Sequence, residues 1–150
     1  TKTEPTNPLY TLDKQQSSLV YYDKNTIVLT MPYWVKVTNS SVEDSEVKKH
    51  SFVLSYDPEA MTASDTKLKL YISHVVEDAG ETVTRSNFTY AYRAYSIRAA
   101  LAAFKEKTGK LPKYLELTAE INNSKDELVD KDGKETSVER SVEYDYAFTE

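Results

Sequence analysis

The stretch TIVLTMPYWVKVT, residues 26–38, carries the strongest regular pattern in the chain. Its even positions are mixed, whereas its odd positions are all apolar: Ile27, Leu29, Met31, Tyr33, Val35 and Val37. Because side chains alternate between the two sides of a β-strand, this pattern predicts a long strand with one buried face. Pro32 cannot donate a hydrogen bond within a sheet, so we expect a bend or an edge position there.

Four more segments have a period of two, and a polar connection, residues 39–49, follows the first strand. In three of these segments the following residues are predicted to point inward: Phe52, Leu54 and Tyr56 in the first, Leu68, Leu70, Ile72, His74 and Val76 in the second, and Leu115, Leu117, Ala119 and Ile121 in the third. In the fourth segment the predicted inward residues are Phe88, Tyr90, Tyr92 and Ala94. These patterns predict further strands with one buried face.

The closing stretch SVERSVEYDYAF, residues 137–148, also alternates. Valines and aromatic residues occupy its even positions, interrupted by Arg140, and acidic residues occupy several odd ones. A disordered acidic tail would have no reason to alternate. The stretch is therefore predicted to be a half-buried strand.

One α-helix is predicted at about residues 96–108. Ser96 is a suitable N-cap, and Ile97, Ala100, Leu101 and Phe104 fall on one helical stripe. Gly109 can end the helix in a left-handed conformation, and Pro112 follows shortly after it.

These elements predict a mainly β (β-rich α+β) fold with six to eight strands. An antiparallel β-sandwich with the helix across one end, and a bent sheet wrapped around the helix, both fit the one-sided strands. A chain of 150 residues fits one domain, which we place at residues 19–150. Residues 1–18 have two prolines and no clear period, which predicts an extended or flexible N-terminal arm.

The composition argues against several classes of partner. The net charge is −5, from 19 basic and 24 acidic residues, and basic residues are not clustered. A nucleic acid or an anionic membrane is therefore not an expected partner. The chain has no cysteine for disulfides or thiolate metal sites, and it contains no apolar stretch long enough to span a membrane. We expect no cofactor.

His50 and His74 are the two histidines and hence the candidate catalytic bases. His74 lies on the apolar face of its predicted strand, near Ser73, Glu77 and Asp78, so a small hydrolase using His74 is one hypothesis. No G-x-S-x-G motif supports it, so a hydrogen-bonded core histidine is favoured. His50 follows two lysines and is expected to be solvated.

A metal site is not predicted either, although Asp130, Asp132 and Glu139 take positions 3, 5 and 12 of a calcium-loop pattern. Leu128 would then occupy the first ligand position, where it cannot bind calcium, so a hairpin turn is the preferred interpretation. The acidic row that includes Glu139 and Glu143 is expected to be a solvated strand face.

Four aromatic residues are predicted to point away from the apolar faces of their segments: Trp34, Tyr71, Tyr95 and Tyr114. They could bind a protein or stack on a sugar, or they could form a second small core. Three sequons, at Asn39, Asn87 and Asn122, matter only if the source glycosylates proteins.

The sequence favours a non-enzymatic, surface-exposed or secreted binding or assembly module of the adhesion type. Its partner would be a protein or a second copy, bound by strand addition through the arm or the last strand, and a carbohydrate is a further option. Because the chain begins with Thr, a leader could have been removed, which fits a cell-surface or extracellular location; a cytoplasmic one stays open. The alternative is a phage- or virus-type structural protein, or an acidic inhibitor of a basic protein site.

Overall fold

The computed structural model describes residues 3–77, 83, 85, 87–122 and 137–148. In these ranges the chain forms seven strands in two sheets, two α-helices and one 3₁₀ turn at Pro58–Ala60. The strands are β1 (Ser18–Asp23), β2 (Thr26–Val35), β3 (His50–Ser55), β4 (Lys67–Val76), β5 (Asn87–Ser96), β6 (Tyr114–Ile121) and β7 (Val138–Asp145). The helices are α1 (Asp44–Val47) and α2 (Arg98–Thr108). The predicted mainly β fold is confirmed.

The two sheets pack face to face around one core. One sheet has the order β1-β2-β5 and the other has the order β3-β4-β6-β7. Neighbouring strands run antiparallel except β4 and β6, which are parallel. The predicted inward residues of β2, β4 and β6 are buried, and α2 adds Ala100, Leu101 and Phe104 to the same core. The arrangement is the sandwich alternative, with the helix contacting β4 and the 3₁₀ turn.

Tyrosine hydroxyls tie the two sheets together at both sides of the sandwich. The hydroxyl of Tyr21 in β1 donates to the Asp145 carbonyl in β7 (2.6 Å), and that of Tyr95 in β5 donates to the Phe52 carbonyl in β3 (2.8 Å). The hydroxyl of Tyr146 donates to the Lys24 carbonyl (2.7 Å). Half-buried positions of this kind suit tyrosine, whose ring is apolar and whose hydroxyl needs a partner. They account for part of the high tyrosine content.

Replacing Tyr95 by phenylalanine is expected to lower the free energy of unfolding by about 0.5–1.5 kcal/mol, because the hydrogen bond between the sheets is lost. Burial raises the pKa of Tyr95 to about 12. Since the unfolded phenol ionises near pH 10, its contribution to stability is present below pH 10 and is lost as the pH rises towards 12. Urea titrations at pH 7 and pH 11 measure both effects. Equal loss in the control Tyr92→Phe, at an exposed position, would contradict them.

The N-terminal segment is extended, but it is part of the core, which corrects the expectation of a free arm. Leu9 is 0% exposed and forms β-bridges to Tyr33 in β2 and to Ile121 in β6. Its backbone N–H donates to the Glu120 carbonyl (2.9 Å), and its carbonyl accepts from the N–H of Asn122 (2.9 Å). The segment therefore links the two sheets, and it leads into β1 (Ser18–Asp23), a strand that was not predicted.

The inward face of β5 is the opposite of the predicted one. Ala91 is buried and Tyr95 is half-buried, whereas Tyr90 and Tyr92, predicted inward, are exposed.

Two smaller differences concern the helices. The connection between β2 and β3 contains α1, and the N-cap of α2 is Ile97 instead of Ser96.

The end of α2 is as predicted, since Gly109 adopts a left-handed conformation with φ of 81°. Pro32 lies inside β2, which is the central strand of its sheet, between β1 and β5, so the edge-strand alternative is wrong. On the other side of β2, pairing with β1 stops at Thr30, and the N–H of Tyr10 donates to the Pro32 carbonyl (3.0 Å).

Over the described residues, neither helix has the length and apolar character needed to cross a membrane.

Candidate functional site

The outer face of the three-stranded sheet carries a continuous patch of apolar and aromatic side chains. The strand register aligns Val20 with Val28 and Ala94 across the three strands. The next row aligns Ser18 with Thr30 and Tyr92, and Pro32 is paired with Tyr90. We call this patch the tyrosine face and define it as Val20, Tyr22, Val28, Thr30, Tyr90, Tyr92 and Ala94.

The tyrosine face is open to solvent. Tyr22 is 79% exposed, Tyr92 is 66% exposed and Val20 is 58% exposed. None of its seven residues carries a charge, although 29% of the chain is charged and the net charge is −5. Exposed aromatic side chains grouped without charges are a feature of interaction surfaces.

One end of the same outer face is closed by the N-terminal segment. Tyr10 stacks on Phe88 (ring centroids 4.1 Å apart) and contacts the edge of Trp34 (5.0 Å). Trp34 is only 3% exposed, and its indole N–H donates to the Asn122 carbonyl (2.6 Å). Trp34 therefore belongs to a second small core, which was the alternative to a binding role. The N-terminal segment covers it, instead of the helix.

The other three aromatic residues do not join one surface. Tyr95 faces the interior and is held by its hydrogen bond to β3. Tyr71, which is half-buried, lines a cavity of about 260 Å³ beside the 3₁₀ turn, with Tyr56 and Met61. Tyr114 lines a separate open cavity with Tyr146. The predicted binding roles of Tyr71 and Tyr114 stay predictions, and the exposed rings of Tyr22, Tyr90 and Tyr92 had not been singled out.

The outer face of the four-stranded sheet is charged. Glu116 and Glu143 lie directly opposite each other in β6 and β7, and the Lys67 ammonium lies 3.6 Å and 2.7 Å from their carboxylates. Glu139 is exposed and lies opposite Glu120. The other two members of the calcium-loop pattern, Asp130 and Asp132, are outside the described residues. Across the ranges that are described, no group of three or more His, Asp or Glu side chains is placed to hold a metal ion.

Both histidines are buried in an ionic cluster between α1, β3, β4 and the N-terminal segment. His50 Nδ1 lies 2.7 Å from His74 Nε2, and His50 Nε2 lies 3.0 Å from the Glu46 carboxylate. His74 Nδ1 lies 3.0 Å from the Pro8 carbonyl. Arg85 donates to both oxygens of Glu46, at 2.8 and 3.2 Å. We call Glu46, His50, His74 and Arg85 the histidine cluster.

The cluster corrects one expectation and bears out another. His50 is buried instead of solvated, because Glu46, four residues earlier in α1, accepts its Nε2 hydrogen. His74 is 1% exposed, and both its ring nitrogens have protein partners, which is the placement of a hydrogen-bonded core residue. Ser73, on the opposite side of β4, donates to the Thr3 carbonyl.

The electrostatics of the cluster follow from its burial. Burial alone would raise the pKa of Glu46, but hydrogen bonds from Arg85, His50 and the Lys36 N–H lower it to about 2. Burial and the neighbouring His50 lower the pKa of His74 to about 3. Glu46 is thus a carboxylate and His74 a neutral imidazole at neutral pH.

The three sequons occupy different environments. Asn39 is exposed in the turn that joins Thr38 to Ser41, and Asn87 is exposed at the start of β5. Asn122 is buried, and its carbonyl accepts the indole N–H of Trp34. A glycan at Asn122 is therefore not compatible with its burial.

Comparison with known proteins gives one informative likeness. No protein-family model matches the chain, and no curated protein sequence matches it. Among solved structures, a crystal structure of a protein from Bacteroides fragilis described as a "putative lipoprotein" is similar, with a TM-score of 0.77 and 27% sequence identity. The match covers 99% of this chain and 66% of that protein, so this chain spans a little under two thirds of its length.

Proposed function

We propose that this chain is a non-enzymatic domain exposed at the cell surface, which associates with a second copy of itself through the tyrosine face. The likeness to the Bacteroides fragilis protein supports the location, because lipoproteins are held at a membrane surface by their lipid. The histidine cluster supports a non-enzymatic role, because both histidines of the chain are in it and hold the fold together.

The observation that carries the proposal is an uncharged aromatic face on an acidic protein. Two copies with a net charge of −5 repel each other, and they do so most where like charges meet. In a dimer formed through the charged outer face of the four-stranded sheet, the row containing Glu139 and Glu143 would meet the same row of the second copy. The tyrosine face can meet its own copy without this cost, and a two-fold interface requires a patch that is complementary to itself.

The size of the face sets the expected strength. Three strands about 4.8 Å apart and six residues of about 3.3 Å each give a patch of roughly 10 by 20 Å between strand axes. This is smaller than the ~800 Å² per partner of a stable complex, so the dissociation constant should lie between about 10 μM and 1 mM. Weak association is sufficient for molecules confined to one membrane, where the effective concentration reaches the millimolar range.

Sedimentation equilibrium at 5–500 μM tests the proposal. The wild-type chain is expected to show reversible dimers, and Tyr22→Thr combined with Tyr92→Thr is expected to remain monomeric, because threonine keeps the strand preference but removes the rings. Association should persist or strengthen in 0.5 M NaCl, since salt screens the repulsion. If the chain were instead an acidic inhibitor of a basic protein site, salt would weaken its binding to that partner, because it screens the attraction between opposite charges.

Two control variants locate the contact. Val53→Thr lies on the outer face of the four-stranded sheet, and Val138→Thr lies at the start of the edge strand β7. Both should dimerise like the wild type. If only Val138→Thr abolishes dimers, the copies associate by strand addition at β7 and the tyrosine face is not the interface. If the wild-type chain is monomeric at 500 μM, self-association is refuted.

A further inference from the structure

The hydrogen bonds of the histidine cluster determine how many protons it holds. The Glu46 carboxylate and the Pro8 carbonyl can only accept hydrogen bonds, so His50 Nε2 and His74 Nδ1 must each carry a hydrogen. The 2.7 Å contact between His50 Nδ1 and His74 Nε2 requires one hydrogen shared between two nitrogens. The two rings therefore carry three hydrogens on four nitrogens, which is one positive charge.

The surroundings place this charge on His50. His50 faces the Glu46 carboxylate, whereas His74 faces a neutral carbonyl and stacks on Phe52 (ring centroids 4.9 Å apart). The other described titratable or charged groups that face the pair are Arg85, which is bound to Glu46, and Tyr33, with Arg93 next to it. The Glu46 carboxylate contacts both cations, the His50 ring and the Arg85 guanidinium.

We propose that the His50–His74 pair, with its three hydrogens, makes the fold most stable near pH 6.5 and secures the N-terminal segment. We call this pair the clasp. The clasp reaches that segment through the Pro8 carbonyl. In addition, the N–H groups of Thr6 and Asn7 donate to the backbone carbonyl of His74 (3.0 and 3.3 Å). Any change in the number of hydrogens on the pair disrupts one of its three contacts.

The sign of the pH dependence follows from the unfolded chain, in which both histidines titrate near pH 6.5. Above this value the unfolded pair holds two hydrogens and the folded pair holds three, so folding takes up a proton. The folding equilibrium constant should then fall by up to tenfold per pH unit as the pH rises. This fall continues until the folded pair loses its third hydrogen.

Below pH 6.5 the direction reverses. The unfolded pair holds four hydrogens and the folded pair three, so folding releases a proton and the constant falls by up to tenfold per unit as the pH decreases. The loss extends to about pH 3, where His74 becomes charged in the folded state. A fourth hydrogen would place two N–H donors against each other at the His50–His74 contact, which would break it.

Nitrogen-15 NMR of the two imidazole rings tests the clasp directly, since the chain has only two histidines. At pH 8.0, His50 is expected to be protonated on both nitrogens and His74 to be the neutral Nδ1–H tautomer. The same protein in 8 M urea should show two neutral rings. Two neutral histidines in the folded protein at pH 8.0 would overturn the proposal, and this measurement does not depend on any variant.

A second measurement follows stability. Urea midpoints of the wild type between pH 4 and pH 9 should pass through a maximum near pH 6.5. The variant His50→Gln combined with His74→Gln should lose the part of this dependence that the pair contributes, with Lys67→Met as the control that retains it. If the folded double variant shows the same curve as the wild type, the pair is not the source of the pH dependence.

Discussion

Replacing Leu9 by alanine is expected to lower the free energy of unfolding by about 2–5 kcal/mol, the range for removing a large buried side chain. Leu9 is fully buried between β2 and β6, at the point where the N-terminal segment joins the two sheets. The surrounding strands are held in register and cannot close the cavity. Urea or thermal unfolding of the purified variant measures the effect.

The matched control is Val20→Ala, because Val20 is 58% exposed and belongs to the same part of the chain. Its effect should stay within about 0.5 kcal/mol. Deletion of residues 1–12 removes Leu9 and Leu12 together and is expected to prevent stable folding. A truncated chain that folds with wild-type stability would show that the segment is an accessory arm after all.

Replacing Glu46 by glutamine is the second large effect, with an expected loss of about 3–5 kcal/mol. The carboxylate accepts hydrogen bonds from Arg85, His50 and the backbone N–H of Lys36. Glutamine keeps the shape but removes the buried negative charge to which His50 and Arg85 are hydrogen-bonded. Chemical unfolding at pH 7 measures the loss.

The pH dependence of this variant has a definite sign. The pKa of Glu46 is about 2 in the folded chain and 4.5 for the unperturbed group, so its contribution is present above pH 4.5 and is lost as the pH falls towards 2. Glu46→Gln should lack that part of the acid unfolding. The partly exposed carboxylate of Glu143, paired with Lys67, is the control, and Glu143→Gln should leave stability almost unchanged. Equal stability of the two variants would contradict a structural role for the cluster.

The strands with one clearly apolar face could be predicted from the sequence. In β2, β4 and β6 alternate residues are mostly large and apolar, and the structure buries them as predicted. The burial of Trp34, on the other face of β2, was not predictable in this way, because it depends on Tyr10 in the N-terminal segment. The end of α2 could also be predicted, because Gly109 can take up the left-handed conformation there. These features depend on neighbours close in sequence.

The inward face of β5 could not be predicted in this way, because its more apolar face, with Phe88, Tyr90 and Tyr92, is not the one that turns inward. Its orientation is decided by partners in other strands. Ala91 is paired with Met31, whose larger side chain fills the space, and the Arg93 guanidinium lies 5.1 Å from the Phe52 ring. The exposure of Tyr90 and Tyr92, and with it the tyrosine face, follows from these contacts.

Long-range contacts also explain the N-terminal segment and His50. Leu9 lies in a segment with two prolines and no regular apolar pattern, and its burial depends on Ile121, far along the chain. His50 follows two lysines, which suggests solvent, but its partner His74 is remote in sequence, and so is Arg85, which binds the same Glu46 carboxylate. Glu46, four residues before His50, was the one local signal.

The central claim, association through the tyrosine face, is tested most directly by mapping backbone amide chemical shifts as the wild-type concentration rises from 20 to 500 μM. Concentration-dependent shifts are expected to be confined to β1, β2 and β5 and centred on Tyr22, Thr30 and Tyr92. The variant with both Tyr22→Thr and Tyr92→Thr is expected to show no such shifts. Shifts that instead cluster along β7, or spectra that do not change with concentration, would contradict it.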